Sequence, residues 1–271
     1  MNTIAAPLAV AAAASYGLAA ALQHRSARRE RPYRTLDPRL LFRLAQRPLW
    51  LAGAAADLAG ATLHAVALAL GPLALVQPIL ISGLAMAILL EAALDRRWPH
   101  RRDLVAVGLS AAGLATFITL TQPRPGAPAS GGLAGATVVV SVVVALLVGL
   151  ATRLDGARRA TLLGIATGAL YALAAALAKA CLSRVGNDPI GLLTDARLYG
   201  FILAGLLGLL LNQNAFQAGP LAGPLTGITL TDPLVSLAIA VAALNEELTT
   251  GGVRSLVELV AVLAMATATG E

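Results

Sequence analysis

Uncharged apolar stretches about as long as a membrane-spanning helix fill most of this chain. A helix needs roughly 20 apolar residues to cross the hydrocarbon core of a bilayer, which is about 30 Å thick. Nine stretches reach or approach this length, at 3–23, 49–70, 73–94, 104–121, 133–151, 161–182, 198–216, within 221–244, and at 253–269. Only 13% of the 271 residues are charged, against about 25% in soluble domains. The sequence predicts an all-α polytopic membrane protein with about nine transmembrane helices.

The positive charges are divided unevenly between the loops on the two sides of these helices. Fifteen arginines follow the first, third and fifth stretches, and five Lys or Arg residues fall on the other side. The positive-inside rule makes the fifteen cytoplasmic. We therefore predict a multi-pass protein of the inner (cell) membrane, with its amino terminus outside and its carboxyl terminus in the cytoplasm. Because the net charge of +6 lies in loops, it does not indicate nucleic acid as a partner.

The longest basic loop, residues 24–48, contains the apolar stretch 40–44. One interpretation is a short amphipathic helix that lies against anionic lipid headgroups. The other is that the loop serves only as an orientation signal. The first stretch has no basic segment before it, so we interpret it as a retained helix and not as a cleaved signal peptide.

The sequence contains a pattern that occurs twice. A proline and a glutamate thirteen residues apart occur twice, at a fixed offset of 155 that also aligns two other polar positions. The aligned pairs are Pro78 with Pro233, Glu91 with Glu246, Gln77 with Asp232, and Asp103 with Glu258. This predicts a first repeat at 1–121 (helices one to four), a linker and helix five at 122–160, and a second repeat at 161–271 (helices six to nine). The alternative is that helices rich in Ala and Leu align by chance.

Each predicted repeat begins on the opposite face of the membrane, so the two repeats are inverted. Inverted repeats allow a central site to open to each side in turn. Ionisable groups in the hydrocarbon are costly, about 2.5 to 3.5 kcal/mol on insertion scales, so each one inside a helix is a functional candidate.

The second helix carries Asp57 and His64, which are seven residues apart and share a face. They suit cation binding or proton coupling, although a lone histidine often only bonds a neighbouring helix. The seventh helix ends with the amides Asn212, Gln213 and Asn214, which suit a polar solute or the packing of one helix on another.

Asp232 precedes a proline, and this pair has two interpretations. If the helix begins there, Asp232 is an N-cap followed by proline at the first helical position. If it begins near Ala222, the aspartate is close to mid-membrane and the proline breaks the helix there. A direct role in binding substrate or ion is compatible with the cap. Gln77 is the weaker counterpart of this arrangement. Glu91 and Glu246, at helix ends, are expected to be membrane-boundary residues.

Nucleotide-binding, zinc-protease and serine-hydrolase motifs are missing from the sequence, so we do not expect an enzyme or a primary pump. We expect no cofactor; Mg²⁺ or H⁺ would act only as a transported or coupling ion, with Asp57 and Asp232 as the metal ligands if a cation is carried. The expected partners are the lipid bilayer, a small-molecule or cation substrate, and a second copy of the chain in a homodimer.

The segments "QPILISGLAMAILLEAAL" and "DPLVSLAIAVAALNEEL" resemble the ends of the two halves of EamA-type proteins in the drug/metabolite transporter (DMT) superfamily. Within that group, "SYGLAAALQHRSARR" and "RPLWLAGAAADLAGATLHAVALALGPLALVQPI" are most similar to the NIPA-like branch, named for its magnesium transporters. The resemblance implies the DMT/EamA-like fold and a nine-helix layout. Ala61 stands where that branch has a glutamate in helix two, and His64 fills an asparagine position; these departures weaken magnesium as substrate.

We therefore predict a secondary transporter or facilitator that moves a small polar metabolite or divalent cation by alternating access. Asp57 and His64 would face the amides and Asp232 across a cavity between the repeats. One alternative is a Mg²⁺ transporter of the NIPA type, and another is a membrane scaffold that transports nothing and needs neither a cavity nor buried carboxylates.

Overall fold

The computed structural model of the chain is helical throughout the part it describes, which comprises residues 4–31, 34–70, 73–96, 98, 101, 104–105, 108, 112, 132–185 and 191–244. The helices are α1 (Ala5–Arg29), α2 (Arg39–Leu44), α3 (Pro48–Leu70), α4 (Leu73–Leu94), α5 (Gly132–Ala151), α6 (Gly156–Val185), α7 (Ala196–Ala218) and α8 (Ala222–Leu244), with a 3₁₀ turn at Gly191–Thr194. The predicted helix at 104–121 lies largely outside the described residues. The predicted helix at 253–269 lies wholly outside them, as do the positions Asp103, Glu246 and Glu258.

Five of the described helices are long and apolar enough to cross a membrane. They cover Ala5–Arg29, Pro48–Ala67, Gly132–Ala151, Gly156–Ala178 and Ala196–Ala218, and each overlaps a predicted stretch. Large apolar side chains such as Val139, Leu146 and Leu206 are exposed on them. Surfaces of this kind suit lipid and not water. The chain is thus a helical protein whose natural surroundings are a bilayer.

The helices pack as two units of three. In the first unit, α1 packs along both α3 and α4, while α3 and α4 hardly touch each other. In the second unit, α6 packs in the same way along α7 and α8, which again have little mutual contact. The units meet where α1 contacts α7 and α4 contacts α8, and α5 lies against α6 and α8. Each unit is therefore built around one central helix, α1 or α6.

Glycines allow the central helices to approach their neighbours closely. A β-carbon at Gly164 in α6 would lie 2.5 Å from the carbonyl oxygen of Pro224 in α8. In the first unit, a β-carbon at Gly83 in α4 would lie 2.9 Å from the carbonyl oxygen of Ala13 in α1. Interfaces of small residues are typical of helices packed inside membranes, where close backbone contact replaces the hydrophobic effect.

The apolar stretch in the basic loop forms the short helix α2, as the amphipathic interpretation predicted. Its apolar side chains pack on the protein: Leu40 and Leu44 are fully buried in a cluster with Phe216 of α7. Phe42 is 70% exposed on the other side of this turn. The loop is thus attached to the second unit by two leucines one helical turn apart.

The N-cap interpretation of Asp232 is wrong, because α8 begins at Ala222 and continues through Pro233 to Leu244. The expected break at the proline is also not seen. Pro233 has no N–H, so the carbonyl of Thr229 four residues earlier loses its helical donor. A helix in a bilayer keeps its remaining backbone hydrogen bonds because lipid offers no replacement. Asp232 is thereby placed in the middle of a long helix.

Candidate functional site

A cavity of about 610 Å³ lies between the two units. Its walls come from α1, α3, α4, α6, α7 and α8, so the central helix of each unit contributes to it. Its polar side chains are Tyr16, Gln23, Asp57, His64, Tyr171, Asn212, Thr229, Asp232 and Ser236. Apolar residues such as Leu80 and Ile228 form the wall between these polar side chains. The cavity has the size of a small-molecule site, which typically measures about 300 to 1,000 Å³.

Asp57 and His64 reach the cavity from one face of α3, as their spacing of seven predicts. The rings of Tyr16 in α1 and His64 pack nearly perpendicular to each other, with centroids 6.3 Å apart. Nε2 of His64 is buried and has no hydrogen-bond partner in the described part of the chain. The carboxylate of Asp57 is accessible from the cavity and forms no hydrogen bond or ion pair with a described residue.

Asp232 and Asn212 line the cavity from the second unit. The hydroxyl of Ser236 donates to Oδ1 of Asp232 at 3.4 Å. Oδ1 of Asn212 is buried without a hydrogen-bond partner in the described chain. The cavity wall thus contains two carboxylates and an amide oxygen that has no hydrogen-bond partner among the described residues. These groups make the wall rich in hydrogen-bond acceptors.

Gln213 and Asn214 were predicted to line the site with Asn212, but the structure directs them elsewhere. Successive helical residues point about 100° apart, so three consecutive amides cannot share one face. Gln213 is buried between helices, and Nδ2 of Asn214 donates to the carbonyl oxygen of Leu210 in its own helix at 2.7 Å. Gln77 belongs to α4, but its side chain lies outside the described part of the structure.

The two tyrosines were missed in the sequence, although a signal for them exists. Tyr16 and Tyr171 are 155 residues apart, the offset that aligns Pro78 with Pro233. Each belongs to the central helix of its unit, and each ring packs on a glycine of the next helix, Gly60 for Tyr16 and Gly208 for Tyr171. The same offset maps Asp57 onto Asn212. A search of the sequence for further polar or aromatic pairs at the offset of 155 would have found these positions.

Amide side chains join the two units at the end of the bundle that carries Arg25, Arg28 and Arg29, here called the basic end. Gln213 of α7 is fully buried, and its Nε2 donates to Oε1 of Gln23 in α1 at 2.9 Å. The indole nitrogen of Trp50 in α3 donates to Oε1 of Gln213 at 3.1 Å. These two bonds join the first unit to the second immediately beside the cavity, since Gln23 is part of its wall.

A buried histidine forms a second link at the basic end. Nδ1 of His24 lies 3.0 Å from the carboxylate of Glu91 in α4, and Nε2 lies 3.0 Å from the carbonyl oxygen of Gly219, to which it donates. The edge of the His24 ring also packs on Phe216. We expected Glu91 at a wet membrane boundary, but it is 6% exposed and paired. His24 was assigned to the loop because α1 was expected to end at Gln23, whereas it continues to Arg29.

The basic loops meet at this end. Arg25 pairs with Asp95 at 2.8 Å, and Arg159 at the start of α6 donates to the hydroxyl of Thr35 at 3.1 Å. A smaller cavity of about 340 Å³ lies among the side chains at the end of α1 and α4. Described residues of the three predicted cytoplasmic loops therefore meet on one face of the bundle. The described wall of the larger cavity contains no Lys or Arg.

A metal site is not apparent in the described part of the chain, where no group of three or more His, Cys, Asp or Glu side chains comes together. A cation entering the larger cavity would find two carboxylates, Asp57 and Asp232, together with amide and hydroxyl oxygens. These are hard oxygen donors of the kind Mg²⁺ prefers.

Comparison with known proteins gives one informative relationship. No protein-family model and no solved structure matches the chain. An uncharacterized protein of Corynebacterium glutamicum is 30% identical over 250 residues, which cover 91% of this chain and 86% of that protein. At this identity and coverage the two share one family, and the chain belongs to the family of this Corynebacterium protein.

Proposed function

We propose that the chain is a secondary transporter or facilitator of the DMT type, which moves a small polar metabolite or a divalent cation by alternating access. The observation that carries this proposal is the polar cavity between the two units, with one carboxylate from each, Asp57 and Asp232. Carboxylates within membrane-spanning helices are costly, and those that persist usually line the path of an ion or a substrate.

The packing supports two repeats related by inversion within a nine-helix layout. The contacts of α1 with α3 and α4 have the same pattern as those of α6 with α7 and α8. Tyr16 and Tyr171 occupy corresponding positions on the central helices, at the offset of 155. Repeats of this kind bind their substrate where the units meet and move against one another around it. The cavity lies in that place.

The hydrogen bonds between helices at the basic end support a role for this face as a gate of the cavity. Gln213 joins α7 to α1 and α3, and His24 joins α1 to α4 and to the turn after α7. By the positive-inside rule this face is cytoplasmic. We therefore interpret the structure as a state closed toward the cytoplasm, in which these bonds must break for the cavity to open inward.

A Mg²⁺ transporter of the NIPA type is the alternative within the same fold. Asp57 and Asp232 favour it as hard oxygen donors. The cavity is large for it, because Mg²⁺ holds its ligands at about 2.1 Å and usually keeps several waters. A scaffold that transports nothing would not need carboxylates inside a polar cavity.

The test of alternating access needs no knowledge of the substrate. Cys181 is the single cysteine, so Cys181→Ala gives a background without thiols. Ser236→Cys then places a thiol in the cavity wall with little change in volume. We expect a membrane-impermeant methanethiosulfonate reagent to label this thiol from either side of sealed vesicles, because the cavity opens to each side in turn.

The matched control is Val139→Cys, which places a thiol on the exposed apolar face of α5. In lipid it should react from neither side. Labelling of Ser236→Cys from a single side only, in vesicles of both orientations, would contradict alternating access and favour the scaffold.

A further inference from the structure

The cavity wall has a chemical character that narrows its substrate, and this inference rests on the proposed function. Its two carboxylates, Asp57 and Asp232, are accompanied by no Lys or Arg among the described lining residues. The arginines of α1 lie beyond Gln23, at the basic end. Two carboxylates without a neighbouring cationic side chain attract cations and repel anions. The wall therefore selects for positive charge.

Several hydrogen-bond acceptors in the cavity wall lack a donor among the described residues. Oδ1 of Asn212 is buried and has no partner among the described residues, and Asp57 likewise accepts no hydrogen bond from them. Among the described residues, the one donor to Asp232 is the hydroxyl of Ser236, at 3.4 Å. Acceptors left without donors inside a membrane protein are costly, so a ligand that supplies N–H groups gains more here than a cation without them.

Aromatic rings from both units border the same space. Tyr16 and Tyr171 stand at corresponding positions on the two central helices, and the lack of a side chain at Gly60 and Gly208 leaves room for their rings. The face of a tyrosine ring attracts an organic cation that comes within about 6 Å of its centre. Leu80 and Ile228 add apolar wall, which suits a carbon skeleton.

We propose that the cavity of about 610 Å³ binds a small organic cation with N–H donors, a protonated primary amine or a guanidinium, between Asp57 and Asp232. Its charged group is shared by the carboxylates and the amide oxygen of Asn212, and its carbon skeleton lies among the tyrosines and the apolar side chains. A bare metal ion would use the carboxylates but leave most of this volume and both aromatic rings without a role.

The test compares four probes that share a phenyl ring on the purified, reconstituted protein by thermal stabilisation, which reports affinity through mass action. Benzylammonium has charge and N–H donors, benzyltrimethylammonium has charge without donors, benzyl alcohol has a donor without charge, and benzoate has the opposite charge. We expect benzylammonium to bind best and benzyltrimethylammonium about tenfold or more weakly, since each charged hydrogen bond is worth a factor of that order. Benzoate should not bind.

Variants assign the binding to the cavity. Asp232→Asn should weaken benzylammonium about tenfold or more, whereas Asn214→Ala, which removes a neighbouring amide that does not line the cavity, should leave its affinity unchanged. The probe series on the unaltered chain decides the question even if a variant fails to fold.

Equal binding of the two ammonium probes would overturn the proposal, as would stabilisation by Mg²⁺ alone or by none of the probes. Failure here is distinguishable from failure of the proposed function. If Ser236→Cys is labelled from both sides while no amine binds, the transporter stands and only the substrate class is wrong.

Discussion

Replacing Gln213 by methionine should open the cavity toward the basic end. Methionine keeps nearly the volume of glutamine but neither donates nor accepts a strong hydrogen bond. The substitution removes the bond to Oε1 of Gln23 at 2.9 Å and the bond from Nε1 of Trp50 at 3.1 Å. Both partners belong to the first unit, so the change weakens the closed state while the packing of α7 is largely kept.

The size of the effect follows from the number of bonds lost. Hydrogen bonds between helices in a membrane protein average about 0.6 kcal/mol, so two bonds give about 1.2 kcal/mol. Since 1.4 kcal/mol corresponds to a factor of ten, the ratio of open to closed states should rise about sevenfold. The factor is larger if Gln23 and Trp50 find no new partners, because a buried polar group left unpaired costs about 1 to 3 kcal/mol.

The assay is the rate at which the impermeant thiol reagent modifies Ser236→Cys from the basic side, in the Cys181→Ala background. When opening is rapid and rare, this rate is proportional to the open fraction, so Gln213→Met should react about sevenfold faster. The matched control is Asn214→Leu, which removes a similarly buried amide. Among the described residues, its one hydrogen bond is to the carbonyl of Leu210 in its own helix.

That control should leave the rate unchanged, because the lost bond joins no two helices. Equal rates for Gln213→Met and Asn214→Leu would refute the argument that the amide network holds the basic end closed.

Two further predictions concern transport and packing. In liposomes screened over Mg²⁺, small amines and pooled metabolites, Asp57→Asn and Asp232→Asn should each lower flux about tenfold or more while the protein still folds; unchanged flux in both would remove these residues from the site. In unfolding experiments in mixed micelles, Gly164→Ala should be less stable than Gly149→Ala by about 1 to 3 kcal/mol. A β-carbon at Gly164 would collide with the backbone of Pro224, whereas Gly149 has no atom within 4 Å, and the gain in helix propensity cancels between them. Equal stabilities would show that α6 and α8 are not in close contact.

The five described helices that can span a membrane were predicted from the sequence because charged residues, which are costly in lipid, are rare within them. The predicted stretch 133–151, for example, corresponds to α5 at Gly132–Ala151. The ends were less certain where polar residues continue a helix. His24 was placed in a loop because arginines follow it, yet α1 carries it one turn further and buries it against Glu91. Charge marks where the membrane ends, and a helix need not end there.

The sequence did not predict which face of each helix is turned toward the cavity. An amphipathic helix shows its buried face in its sequence, but a helix that is apolar on all sides does not. Asn212 and Gln213 are therefore equivalent in the sequence, although one lines the cavity and the other joins helices. Asp232 shows a related limit: an aspartate before a proline is a good N-cap signal in water, but in lipid the loss of backbone hydrogen bonds favours a helix that continues through the proline.

The matched positions of the proposed repeats imply an unequal division of charge in the cavity. Asp57 corresponds to Asn212, and Gln77 corresponds to Asp232, so each pair has one acid and one amide. The acid belongs to the first unit in one pair and to the second unit in the other. An exchange of conformations between the units then leaves one carboxylate on each side of the substrate. A cation bound between Asp57 and Asp232 therefore keeps a carboxylate on each unit as a partner throughout the cycle. Its charge stays balanced by the protein whether the cavity is open to the outside or to the cytoplasm.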